Sequence, residues 1–165
     1  MTDLELPSPV PLASREERGQ PRDPGRVAGV RTAVAACRIR LGADAFTALR
    51  DGRLPRVDAI AGARVAGALG ARQTSRLLPF CHDVLLQDIE IDVEFDDESS
   101  AVDVRAVVKS EGVAGVEMEA MTAVTVAALA LYDACKSVTR DASITDLRVL
   151  ATTGGAGGDY RRGPS

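Results

Sequence analysis

Few groups in this chain can exchange a proton near neutral pH. It has one histidine, His82, and of its 20 basic residues only Lys109 and Lys136 are lysines. Arginine stays charged at accessible pH and acts as a fixed cation, not as an acid or base. Proton-transfer chemistry is thereby confined to a few places. Pro79-Phe80-Cys81-His82-Asp83 puts the single imidazole just past a helix stop, as a titrating group or as a surface histidine beside Asp83. Glu117-Met118-Glu119 sits where a helix begins. Residues i and i+2 do not share a helix face. One carboxylate can therefore enter a cleft while the other favours the positive helix end, or both can serve the helix dipole. Asp133 and Lys136 are i,i+3 neighbours near the end of that helix. More than two apolar turns precede them, so a partly buried proton-transfer pair is expected, with a surface ion pair as the alternative. Gly154-Gly155-Ala156-Gly157-Gly158-Asp159 offers backbone N–H groups to a phosphate. It lacks the GxxxxGK[ST] pattern and a following helix, and reads as a flexible tail.

These groups need elements to hold them. The chain has 165 residues, enough for one domain with a sizeable core. Aromatics make up 3% and Trp is absent, so Ala, Val, Leu and Ile must build that core. Residues 1–27, rich in Pro, Arg, Glu and Asp, read as a disordered tail. Residues 28–152 read as the single domain and residues 153–165 as a Gly-rich flexible tail. A strand is expected from Val30 to Leu41 and a short helix over Ala43–Arg50. A longer Ala-rich helix over Val57–Leu78 is stopped by Pro79. Ile89, Ile91, Val93 and Phe95 alternate with Asp88, Glu90, Asp92 and Glu94, the pattern of a strand with one wet face. Val102, Val104, Ala106 and Val108 alternate in turn as its hairpin partner. A flexible connection over Glu111–Gly115, a long helix over Glu119–Thr139 and a strand over Ile144–Leu150 complete the order β-α-α-β-β-α-β. This order predicts an α+β fold, an antiparallel sheet with helices on one face.

The long helix also sets a distance. Fourteen residues separate Glu119 from Asp133, about 21 Å along the helix axis. One pocket cannot contain both ends. If they cooperate, a two-fold must bring one chain's helix start to another's helix end. The helix is apolar nearly all round, which also calls for a second subunit.

Other classes are disfavoured. A net charge of −4 argues against a nucleic-acid partner. Cysteines 37, 81 and 135 form no CxxC or CxxxH pattern, so neither a disulfide framework nor a zinc site is expected. The acidic, Pro-containing start is unlike a signal peptide. The run Ala120–Cys135 is broken by Thr122, Thr125, Tyr132 and Asp133, as in a core or interface helix rather than a membrane span. A cytoplasmic protein with reduced thiols is expected.

The segments LLPFCHDVLL, GVEMEAMTAVTVAALALYDACKSV and TTGGAGGDY, in register over about Arg31–Tyr160, resemble the MoaC family, the cyclic pyranopterin monophosphate synthases of molybdenum cofactor biosynthesis. The resemblance implies a ferredoxin-like fold and a trimer of dimers with active sites between subunits. It implies a lyase that rearranges 3′,8-cyclised dihydro-GTP into cyclic pyranopterin monophosphate and releases pyrophosphate. On that resemblance Asp133 matches the family's active aspartate and Lys136 its acid–base lysine. Phe80, Cys81, His82, Glu117, Met118 and Glu119 belong to substrate-contacting motifs. Arg31, Arg64 and Arg72 would meet phosphates. No resident metal is implied, although Mg²⁺ can accompany a triphosphate.

The chain departs from the family pattern at several points. Arg56 stands where the family has a catalytic lysine, and Val57-Asp58 where it has Gly-Asp. Arg72-Gln73 replaces Lys-Arg, Asp83 replaces a proline, and Thr152 and Ala156 replace tail lysines. A drift of lysine to arginine explains Arg72, where charge suffices. The full set of changes leaves a second reading open: an altered or silent paralogue that binds a nucleotide- or pterin-like ligand.

Overall fold

The computed structural model describes residues 29–55, 58–155 and 157–163. The readings on residues 1–27 and on Arg56 lie outside the described residues. β1 (Gly29–Arg40) leads to α1 (Ala43–Arg50), α2 (Ala59–Arg72) and the single-turn α3 (Thr74–Leu77). The hairpin β2 (Leu86–Asp96) and β3 (Ala101–Gly112) follows, then α4 (Glu117–Cys135), β4 (Ser143–Thr153) and β5 (Tyr160–Arg161). The strands form one antiparallel sheet in the order β2-β3-β1-β4-β5. Without its short last strand this is the ferredoxin-like arrangement. The α+β class and the helix-on-sheet layering match the expectation from sequence.

Period-2 alternation decides which face of the sheet is covered. Ala33, Ala35, Cys37 and Ile39 of β1 and Val102, Val104, Ala106 and Val108 of β3 are all buried under the helices. Ala123, Val124, Ala127, Ala128 and Leu131 of α4 meet them and are fully buried. Among the described residues, ring packing in the core is an edge-on contact of Phe46 and Phe95, with centroids 5.6 Å apart. α4 is apolar and long enough to cross a bilayer by length and composition. Its buried apolar residues belong to the core cluster, as expected of a core helix. Small residues let α2 approach α4 closely. A Cβ on Gly67 would lie 2.8 Å from the Ala123 carbonyl oxygen and 3.1 Å from the Ala127 Cβ.

The structure redraws several boundaries. The helix expected over Val57–Leu78 is divided at Gln73. The buried Thr74 hydroxyl donates to the Ala71 carbonyl at 2.9 Å and competes with the backbone for it. Leu78 is extended, as the residue before a proline tends to be. α4 starts at Glu117 and ends at Cys135 rather than running to Thr139. Val138 N–H and Thr139 N–H both turn back onto the Cys135 carbonyl. β3 continues through Glu111 and Gly112, where the sequence predicts a flexible connection. The Gly-rich segment is the loop of a hairpin, since Tyr160 and Arg161 pair with Thr152 and Ala151. Gly154 has a positive φ of 81° and packs so tightly on the Val30 carbonyl that no side chain fits there. The Asp159 carboxylate accepts its N–H at 3.1 Å.

Candidate active site

α4 carries acidic residues at both ends, and each end opens into its own cavity. At the N-terminal end, Leu78-Pro79-Phe80-Cys81 forms a turn closed by a 3.1 Å hydrogen bond from Cys81 N–H to the Leu78 carbonyl. Proline suits the second position of such a turn. The turn leaves Phe80 90% exposed at its tip and delivers Cys81 and His82 to a cavity of about 140 Å³. Glu117, Met118 and Glu119 from the first turn of α4 and Ala114 and Gly115 from the preceding loop line the same cavity. The Cys81-His82 and Glu117-Met118-Glu119 segments, far apart in sequence, are thus brought together.

The two glutamates differ in environment, as their i,i+2 spacing requires. Glu119 is 5% exposed, whereas Glu117 is half-buried. Burial, with a smaller push from the Glu117 charge, raises the pKa of Glu119 above the usual carboxylate range. Burial, with a smaller contribution from Glu119, also raises the Cys81 thiol. Cys81 therefore enters this cavity as a neutral S–H at neutral pH, not as a thiolate nucleophile. His82 is exposed on the cavity rim. Asp83 accepts a hydrogen bond from the Ser75 hydroxyl.

At the other end of α4, Asp133 and Lys136 form an ion pair of 2.6 Å. Their side chains are 42% and 56% exposed, so this pair is more open in the single chain than the apolar turns before it suggested. Asp133 lines a cavity of about 460 Å³ with Ala130 and Ala134 of α4 and Asp58, Ala59, Gly62 and Ala63 at the start of α2. Asp58 is the aspartate that follows Val57 where the family pattern has Gly-Asp. It caps α2 by accepting a 2.9 Å hydrogen bond from Ala61 N–H. An aspartate before an Ala-rich helix was the available signal.

The arginines are placed unequally. Arg31 is 5% exposed on β1, its Nε donating to the Gly112 carbonyl at 3.0 Å. Arg64 ties α2 to the sheet through a 3.1 Å bond from Nε to the Ile91 carbonyl, and it lines neither cavity. Arg72, in the last turn of α2, is exposed. No group of three or more His, Cys, Asp or Glu side chains among the described residues is arranged to hold a metal ion.

Residues 25–155 match the MoaC family. Cyclic pyranopterin monophosphate synthase of Salinibacter ruber is 49% identical over 131 residues, covering 79% of this chain and 77% of that one. The protein of the same name from Clostridium acetobutylicum is 38% identical over 133 residues, covering 81% and 83%. The Arabidopsis thaliana protein named as the mitochondrial form is 42% identical over 132 residues, which is 80% of this chain and 49% of that one. On these grounds the chain belongs to the MoaC family.

Proposed function

We propose that this protein is a cyclic pyranopterin monophosphate synthase, a lyase of molybdenum cofactor biosynthesis that acts on 3′,8-cyclised dihydro-GTP. The observation that carries the reading is identity of 38–49% over about four-fifths of the chain to proteins of that name. The motifs GVEMEA and YDACK fall at the two ends of one helix.

The reaction opens the purine-derived ring, rebuilds it as a pterin and closes a cyclic phosphate. In the last step a hydroxyl oxygen attacks the α-phosphorus, the bond to the β-phosphate oxygen breaks, and pyrophosphate leaves. The proton of the attacking hydroxyl must pass to a base. Asp133 and Lys136 form the proton-transfer pair, the carboxylate accepting and the ammonium donating. Glu119, whose carboxyl burial makes easier to protonate, faces the heterocycle together with Glu117, Cys81 and His82, which orient it. Phe80 and Met118 supply apolar contact at the rim. Arg31, Arg56, Arg64 and Arg72 meet phosphate oxygens, where a guanidinium fork suits them. At position 56 the chain supplies fixed charge instead of a titrating amine. This reading assigns no resident metal, and Mg²⁺ can accompany the triphosphate.

The two cavities lie at opposite ends of the 19-residue α4. A complete site therefore takes the Cys81–Glu119 end from one subunit and the Asp133–Lys136 end from another. Exposed Val65 and Leu69 on α2 and Leu129 on α4 give the helix layer an apolar surface for that pairing. A cytoplasmic trimer of dimers is the assembly we assign.

The test is pyrophosphate release from cyclised dihydro-GTP. Turnover is expected for the wild type, with losses of about 10²- to 10⁴-fold in Lys136→Ala and Asp133→Asn. Mixed oligomers of Glu119→Ala and Lys136→Ala subunits, each impaired alone, are expected to regain activity that neither has by itself. No turnover by the wild type, and none gained by Arg56→Lys, overturns the assignment. Ligand binding without turnover then identifies a silent homologue.

A further inference from the structure

Lys136 is the first residue past the end of α4, and residues 136–142 carry the chain from there to β4. Where its ammonium sits depends on how that connection is held. Lys136 continues the helical backbone, with φ of −61° and ψ of −18°. Val138 N–H and Thr139 N–H donate to the Cys135 carbonyl at 2.8 and 3.0 Å. Asp141 N–H donates to the Thr139 hydroxyl at 3.2 Å. These bonds are local. One bond reaches further: the Tyr132 hydroxyl, in the last turn of α4, donates to the Arg140 carbonyl at 3.1 Å. It closes the connection against the helix that the chain has just left.

Tyr132 and Lys136 are i,i+4 neighbours, with Cβ atoms about 5–6 Å apart on a helical turn. The tyrosine ring is half-buried and packs on the edge of the core, so it is a fixed point. Lys136 is 56% exposed, and its ammonium lies 2.6 Å from the Asp133 carboxylate. A lysine stem rotates freely. The backbone beneath it and the carboxylate at its tip therefore decide where the charge sits. Asp133 holds the tip, and Tyr132 holds the backbone. Tyr132 lines neither the cavity of Asp133 nor that of Cys81 and Glu119. Its hydroxyl proton is engaged by the Arg140 carbonyl.

We propose that Tyr132 is a positioning residue for Lys136, its hydroxyl fastening residues 136–142 to α4 and so fixing the ammonium beside Asp133. This rests on the assignment of Asp133 and Lys136 as the proton-transfer pair. Tyr132 acts through Lys136 and does not touch the substrate. A catalytic group misplaced by about 1 Å loses about 10²-fold in rate, so one hydrogen bond outside the cavity can matter to turnover.

Tyr132→Phe tests it, since the ring keeps its packing and only the hydroxyl is lost; circular dichroism confirms folding. The chain has two lysines. Reductive methylation with ¹³C-formaldehyde keeps their charge and gives each a resonance, assigned with Lys109→Arg. Lys109, 2.9 Å from Asp88 on the sheet, is the internal control. In Tyr132→Phe the Lys136 resonance is expected to shift and narrow while Lys109 stays in place. Amide exchange over residues 136–142 is expected to quicken about tenfold. In the unmethylated enzyme kcat for pyrophosphate release is expected to fall about 10- to 100-fold, with KM changed less than about twofold. A Lys136 resonance and local exchange unchanged by Tyr132→Phe overturn the proposal, whatever the turnover. In an active enzyme, an undiminished kcat overturns it too, as does a loss confined to KM, which would place the hydroxyl on the substrate. Absence of turnover in the wild type overturns the catalytic assignment instead, and the Lys136 resonance then decides the tie by itself.

Discussion

Replacing glycine by alanine at two positions of α2 should change stability in opposite directions. Inside a helix, alanine is favoured over glycine by up to about 1 kcal/mol, because glycine gives up more backbone freedom on folding. A Cβ at Gly62 meets nothing within 4 Å. Gly62→Ala should therefore gain about 0.5–1 kcal/mol, or roughly 1–4 °C in melting temperature for a chain of this size. At Gly67 the same methyl group would sit 2.5 Å from the Ile91 Cδ1 and 2.8 Å from the Ala123 carbonyl oxygen, where ordinary contact begins at 3.4 Å. The Ile91 methyl can turn aside. The Ala123 oxygen moves only if α4 moves, and α4 is locked onto the sheet by its fully buried residues. Overpacking of this kind costs about 1–3 kcal/mol. Set against the propensity gain, Gly67→Ala should lose about 1–2 kcal/mol, or roughly 2–8 °C. Urea titration followed by far-ultraviolet circular dichroism suits a chain without Trp, run at one protein concentration because association shifts apparent stability. Equal stabilisation by both variants would refute the close α2–α4 approach.

Three further outcomes follow from individual residues. Burial raises Glu119 above its ordinary value of 4.5. The folded state then holds that proton more tightly than the unfolded chain, and the contribution is full below the unfolded value and lost as pH rises through the folded one. Glu119→Gln should consequently stabilise the protein more at pH 8 than at pH 5, and an equal effect at both, read from urea midpoints, would contradict the burial argument. Burial pushes the thiols of Cys37 to about 12 and Cys135 to about 11, while Cys81 is partly exposed. Alkylation of the native protein at pH 8, followed by mass spectrometry, should label Cys81 first and reach the other two only on unfolding; early modification of Cys135 would be inconsistent with its packing. Asp58 caps α2 from a left-handed conformation, with φ of 51°. Asp58→Ala should cost about 1–3 kcal/mol from the lost cap and backbone strain, and Asp58→Gly only a few tenths; thermal melts in which the two behave alike would reject that geometry.

Much of this molecule can be read from local pattern. The alternation of Ile89, Ile91, Val93 and Phe95 with acidic residues marks a half-covered strand wherever it occurs, because successive side chains point to opposite faces. The motifs around Cys81-His82, Glu117-Glu119 and Asp133-Lys136 are contiguous, and contiguous residues identify a family without coordinates. Tertiary structure decided the rest. Glu117 and Glu119 look alike in sequence, yet only Glu119 is buried, because helix phase and the neighbouring loop determine which carboxylate loses water. Thr74 broke a helix whose apolar pattern continued, by finding a buried carbonyl to bond. Asp58 joined Asp133 because two small-residue helices pack closely. The Gly-rich end became a hairpin because β4 offered an unpaired edge. Element type is set by spacing along the chain, whereas burial, pKa and partnership depend on residues distant in sequence that only packing brings together.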